Sequence, residues 1–152
     1  MKNHEIDYYI AFSFMRKHFP KVPIIEDFKH QEKKGSYNPH THQITLYEKT
    51  SHTLFHELGH YLSIETLKIA GDIHKDYPKN EVIAELIAYL LMKSFDESID
   101  YNFAYSNCWS NKITKTFQLG EFEKDFMSIT NYLEKFHIPK TEEGEDEQTN
   151  GM

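Results

Sequence analysis

Residues 53–61, Thr-Leu-Phe-His-Glu-Leu-Gly-His-Tyr, constrain this chain more than any other segment. On a helix, residues four apart lie one above the other, so His56 and His60 present their rings on the same side. At about 100° per residue, Leu54, Leu58 and Leu62 centre about 180° away from the two histidines. Such a helix buries one side and turns the other towards a cleft. Thr50 or Ser51 is placed to cap its start. The pattern predicts a helix running to about Ala70, with Gly71 just past its end.

Two imidazoles one turn apart suit a zinc ion at about 2.0–2.1 Å from each nitrogen. Glu57 sits on the same exposed arc, too far round to share that position but placed to reach a water on the metal. A catalytic zinc also needs a third protein ligand and one open position. The sequence holds a single cysteine, Cys108, which excludes a disulfide framework and a cysteine-based zinc cage. The third ligand is therefore a carboxylate or another histidine. Residues 80–92 place Glu81 and Glu85 on one helical face with Ala84 and Ala88 beside them. Val82, Ile83, Leu86 and Leu90 take the opposite arc, and the small alanines allow close approach to the histidine helix. On residue type alone Glu81 and Glu85 are both open as ligands, as are Asp72 and Asp76 in the loop between the helices. His52 extends the histidine row by one turn and reads as a surface residue at a helix start. Cys108, beside Trp109, reads as a small buried hydrophobe. Ser63 and Thr66 stand where a metzincin needs Gly and His, so that class is excluded. Signatures of a Ser/His/Asp triad or a phosphate-binding glycine loop are absent from the sequence.

The remaining patterns predict an α+β domain over residues 1–140, mostly helical, with a small antiparallel sheet packed against the histidine helix. Ile6, Ile10 and Phe14, with Tyr9 alongside, have helical spacing, and Pro20 and Pro23 end that helix. Residues 24–28 and 43–47 read as short strands around a turn at residues 35–42. Helices are expected at about 79–94, 103–115 and 121–136. The last places Phe122, Phe126, Ile129, Leu133 and Phe136 on one face as ordinary core.

The formal charge is −7, and residues 141–152 hold five of the acids and no Lys or Arg. Removing those five leaves 17 basic and 19 acidic residues, a net of −2. A nearly neutral body lacks the basic footprint of a nucleic-acid binder. The acidic end reads as a solvated, disordered tail. The longest apolar runs fall short of a membrane span, and the first residues lack the apolar stretch of an export signal. A cytoplasmic protein is expected.

Three stretches carry a family resemblance. Residues 35–46 (Gly-Ser-Tyr-Asn-Pro-His-Thr-His-Gln-Ile-Thr-Leu), 53–60 and 77–86 (Tyr-Pro-Lys-Asn-Glu-Val-Ile-Ala-Glu-Leu) resemble the metallopeptidase domain of ArdC-type antirestriction proteins. Tyr105 and Trp109 echo a Tyr/Trp pair near the same place in that family. The match covers about residues 35–110. More distantly the chain is similar to the ImmA/IrrE metallopeptidases, which share the zincin-like fold. After His60 the ArdC family continues Trp-Thr-Gly, where this chain has Tyr61-Leu62-Ser63. A chain of 152 residues has no room for that family's N-terminal single-strand-DNA-binding domain, so direct nucleic-acid binding is not expected. Asn80-Glu81-x-x-Ala84-Glu85 is also similar to the second motif of thermolysin-like gluzincins, Asn-Glu-x-x-Ser-Asp. That match implies Glu81 as the metal ligand and Glu85 as acceptor of an imidazole N–H, with Glu standing for Asp at position 85.

These readings converge on a single-domain zinc metallopeptidase acting on a protein or peptide, in a bacterial, phage or mobile-element setting, with an anti-defence or regulatory role. His56, His60 and Glu81 hold Zn2+, and Glu57 is the general base. Tyr37, Tyr61 and His74 are candidate donors to a substrate oxyanion, and strand 43–47 is a candidate partner for an extended substrate. One alternative is a non-catalytic zinc-containing antirestriction or binding protein that acts by contact, its acidic tail mimicking DNA. Another is an ImmA-like regulatory peptidase that cleaves one repressor. The sequence sets no oligomeric state.

Overall fold

A helix bearing two histidines can meet a helix bearing a carboxylate only if their backbones come close, and here they do so at a glycine. The structure is a computed structural model that describes residues 6–29, 32–69, 77–96 and 119–136. Helix α2 (Ser51–Tyr61) crosses α3 (Tyr77–Asp96) with Gly59 against Ala84. A Cβ on Gly59 would stand 2.6 Å from the Ala84 carbonyl oxygen and 2.9 Å from its Cα, so no larger residue fits without moving backbone. Leu54, Phe55, Leu58, Leu62, Ile83, Ile87, Leu90 and Leu91 pack around this crossing as the centre of the core. Helix α3 buries Ile83, Ala84, Leu86, Ile87, Ala88, Leu90 and Leu91, with α2 as its main partner among the described elements.

The start of α2 follows from its cap: the Thr50 hydroxyl accepts the Thr53 N–H at 3.2 Å, and the Thr53 hydroxyl donates to Glu48 at 2.9 Å. Its end departs from the sequence reading. The α-winding stops at Tyr61 and continues as a π-helical turn, Leu62–Thr66, that closes at Leu67. The Ser63 hydroxyl donates to the His60 carbonyl, and such local bonding competes with the regular helix ladder. Lys68 then turns the chain with φ of 56°.

Three short strands lie on the other side of α2, in the order β1 (Ile24–Glu26), β3 (Ile44–Leu46), β2 (Gly35–Tyr37). The expected antiparallel sheet is in fact mixed, because β2 pairs antiparallel with β3 while β1 pairs parallel. The reason is topological: β2 and β3 form a hairpin, whereas β1 enters the same sheet on the far side of β3. The central place of β3 also removes residues 43–47 as a substrate-pairing strand, since both of its edges are used. Buried Ile44 and Leu46 fix β3 against the core, and the sheet packs on α2 through β2 and β3.

Helix α1 (Tyr8–His18) starts at Asp7, whose carboxylate accepts the Tyr9 N–H. Its buried face is Tyr8, Ala11, Phe14 and Met15, while Tyr9 and Ile10 face solvent. The helical period is the expected one, but the buried face is rotated to these four residues; the Tyr8 ring is buried while its hydroxyl donates to Glu26 on the exposed side of β1 at 2.5 Å. Helix α4 (Leu119–Leu133) with a 3-10 turn (Glu134–Phe136) adds buried Phe126, Ile129 and Leu133, and Phe136 packs partly buried against this core. The architecture is therefore α+β and mostly helical, with four α-helices and one three-stranded sheet among the described residues. None of their helices is long and apolar enough to cross a membrane. The segment expected to be helical at 103–115, Cys108, Trp109 and residues 141–152 lie outside the described residues.

Gly59→Ala is expected to lower the thermal midpoint by several degrees, in line with about 1–3 kcal/mol for overpacking a tight contact. Thermal unfolding followed by circular dichroism measures it, and an unchanged midpoint would contradict the close crossing.

Candidate metal centre

Because α2 and α3 touch at Gly59 and Ala84, the side chains within a turn of that contact are brought together. His56 and His60 project from α2 and Glu81 from α3, and one potential ligand atom from each falls within 4.8 Å of the others. The carboxylate of Glu81 spans the two rings: Oε1 lies 3.2 Å from His56 Nε2 and Oε2 lies 3.0 Å from His60 Nε2. Ligands bonded to one ion at about 2.0–2.1 Å in tetrahedral array stand about 3.3 Å apart, close to these spacings. The imidazole rings cross at 86° with centroids 4.9 Å apart, so both Nε2 atoms reach a common point without the rings stacking. Two nitrogens and a carboxylate form a donor set that could hold a metal ion, and they open on a cavity of about 510 Å³.

Glu85, one turn further along α3, faces a different atom. Its Oε1 accepts from His56 Nδ1 at 2.7 Å, and its Oε2 lies 2.7 Å from His52 Nε2. His56 is thus held from both ring nitrogens. His52 is half-exposed as its position suggests, yet it belongs to the network through Glu85. That link lies across 33 residues of sequence, and the one local signal for it was the four-residue spacing to His56.

Glu57 is buried beside the same cavity. The space for it comes from Gly35 on β2. A Cβ there would stand 2.9 Å from the Thr53 methyl and 3.0 Å from Glu57 Oε2. Read from sequence as part of a turn, Gly35 is instead a strand residue whose backbone passes close to side chains of the helix. A glycine inside a strand is the signal that could have revealed it.

The electrostatics follow the geometry. Burial opposes the charged form of His56, but bonds to Glu81 and Glu85 outweigh it and lift the imidazolium to about 10. The same bonds, chiefly from His56 and then His60, hold Glu81 well below the usual carboxylate range. His52 and then His56 do so for Glu85. Glu57 moves the other way: burial raises it, against the pull of His60 and His56.

Of the candidate substrate-facing residues, Tyr37 lines the cavity, with its hydroxyl 2.6 Å from His42 Nδ1. Tyr61 does not line it and packs edge-on against Tyr37 and His42. His74, Asp72 and Asp76 lie outside the described residues. Lys33 and Lys34 line the cavity and carried no signal in the sequence reading. Comparison with protein-family models, curated proteins and solved structures yields no match.

Metal-stripped protein should be most resistant to unfolding between about pH 4.5 and 6.5. Glu81 and Glu85, depressed in the fold, stabilise it above their ordinary range and lose that effect as pH falls. His56, raised in the fold, stabilises it below its ordinary range and loses that effect as pH climbs towards about 10. Thermal midpoints of chelator-treated protein across pH 3–10 test this window.

Proposed function

We propose that this protein is a zinc-dependent metallopeptidase. The observation that carries the reading is the meeting of His56, His60 and Glu81 at one point of a cavity in which Glu57 is buried alongside. His56 and His60 would bind through Nε2 and Glu81 through its carboxylate, a two-histidine, one-glutamate set of the kind catalytic zinc uses. Bound zinc supplies Lewis-acid activation of water and of the scissile carbonyl. Glu57 accepts the proton of the attacking water and delivers it to the departing amine, so one carboxylate serves as base and then acid. Glu85 keeps the His56 ring in a single tautomer and orientation by accepting a hydrogen bond from its Nδ1–H.

Substrate binding is assigned to β2 rather than β3. Across the hairpin, Tyr47 N–H donates to the Lys34 carbonyl and Asn38 N–H to Gln43, both at 2.9 Å. Antiparallel ladders alternate, so the N–H and C=O of Gly35 and Tyr37 point to the opposite edge. That edge has no strand on it among the described residues, and Gly35, Ser36 and Tyr37 all line the cavity. An extended peptide pairing there would lie along the metal centre.

Purified protein is expected to carry zinc and to cleave peptides from an unfolded-protein library. Glu57→Gln should retain the metal and lose about 10²–10⁴-fold in cleavage rate; His56→Ala should lose both. Undiminished cleavage by Glu57→Gln would remove the proposed base, and full zinc content in His56→Ala would remove the site. Gly35→Ala should leave zinc in place and slow cleavage, since the added methyl displaces Glu57. Mass-spectrometric peptide mapping with metal analysis reads all three variants.

A further inference from the structure

The two histidines are not held alike. His56 has its Nδ1 fixed by Glu85, whereas His60 Nδ1 is buried with no hydrogen-bond partner among the described residues. A metal-binding imidazole usually needs such a partner, because rotation about its Cβ–Cγ bond swings the ligating nitrogen away from the ion. What His60 has instead is an aromatic plate. The ring of Tyr37 lies nearly parallel to it, at 16°, with centroids 6.2 Å apart, within the range of offset stacking. Rotation about that bond would turn the imidazole edge towards the Tyr37 face and give up the offset-stacked arrangement, so the plate favours the ring orientation seen.

The plate is itself clamped. The Tyr37 hydroxyl donates to His42 Nδ1 at 2.6 Å, and His42 Nε2 faces Glu65 Oε1 at 3.5 Å, which favours the tautomer with its proton on Nε2. Tyr61 packs edge-on against both rings, at 73° to Tyr37 and 88° to His42. His42 takes a left-handed backbone, φ of 65°, which a non-glycine residue rarely adopts and surrounding contacts must hold. Glu65 comes from the π-helical turn that directly follows α2, and such turns often mark functional positions. The clamp therefore closes back onto the helix whose histidine it steadies.

We infer that Tyr37, anchored by His42 and Glu65, is a positioning residue that orients His60 for metal binding, in place of the hydrogen bond that His56 receives from Glu85. This rests on the metal-centre reading above. It also reassigns Tyr37, whose hydroxyl proton is committed to His42 and not to a substrate oxyanion.

The test is zinc affinity of the full chain, measured by competition with a chromogenic chelator, together with the visible spectrum of the cobalt-substituted protein. Tyr37→Ala is expected to weaken zinc binding by about 10–100-fold, the usual cost of losing a group that orients a metal-binding histidine, and to alter the cobalt bands. Tyr37→Phe keeps the plate and should restore most of the affinity and the spectrum. His42→Ala should resemble Tyr37→Phe, and combining the two should add little, because each breaks the same link. Circular dichroism of the metal-free variants checks that the fold survives. Should Tyr37→Ala not fold, the small losses in Tyr37→Phe and His42→Ala and their non-additivity carry the test. Wild-type zinc affinity and an unchanged cobalt spectrum in Tyr37→Ala would overturn the inference, as would wild-type affinity in both milder variants. His56→Ala separates the two levels: if it loses zinc while the Tyr37 and His42 variants do not, only the plate is wrong. If it too binds normally, the metal centre falls with it.

Discussion

The contact of Gly59 with Ala84 is the constraint on which the rest depends. It is backbone against backbone, so it leaves no room for a side chain and little for adjustment. Because the crossing lies within a turn of His56, His60 and Glu81, a shift there moves all three groups together. The leucines and isoleucines around it are fully buried, so the apolar core and the polar cluster are set by one crossing. Protein interiors are packed too densely for one to move without the other.

Each polar group at the centre is then held by a different part of the fold. Glu85 and His52 tie down His56 from α3 and the start of α2. Strand β2 passes Glu57 at Gly35, where the missing side chain makes room for the carboxylate. Tyr37, two residues along the same strand, covers the ring of His60. The sheet is small, yet it touches two of the four groups in the cavity, and its central strand is buried so that an outer strand can face the site.

Legibility in the sequence was uneven for reasons that can be named. The period of α1 is readable, but which arc faces the core is not: Tyr8 is buried and Tyr9 and Ile10 are exposed, a choice set by the packing partners and not by the local pattern. The strand positions were readable, but the parallel pairing of β1 depends on the side from which the chain enters the sheet. The end of α2 at Tyr61 is not legible because passing from an α- to a π-helical turn changes the hydrogen-bond register without interrupting the helical pattern. His42 reads from sequence only as a turn residue, because its partners Tyr37 and Glu65 lie 5 and 23 residues away.

By itself the sequence determined the pair His56 and His60, the neighbouring Glu57, the apolar back of their helix and the presence of two candidate carboxylates on one later helix face. All of these are consequences of helical spacing, which acts over a few residues. Only the tertiary structure decided that Glu81 meets both Nε2 atoms while Glu85 meets Nδ1 of His56. The gluzincin-like string around Asn80 implied that division by resemblance, but the two acids are chemically identical and one turn apart, so their own side chains do not distinguish them. The difference arises from where α3 crosses α2, and that is fixed by a glycine and an alanine 25 positions apart in the chain.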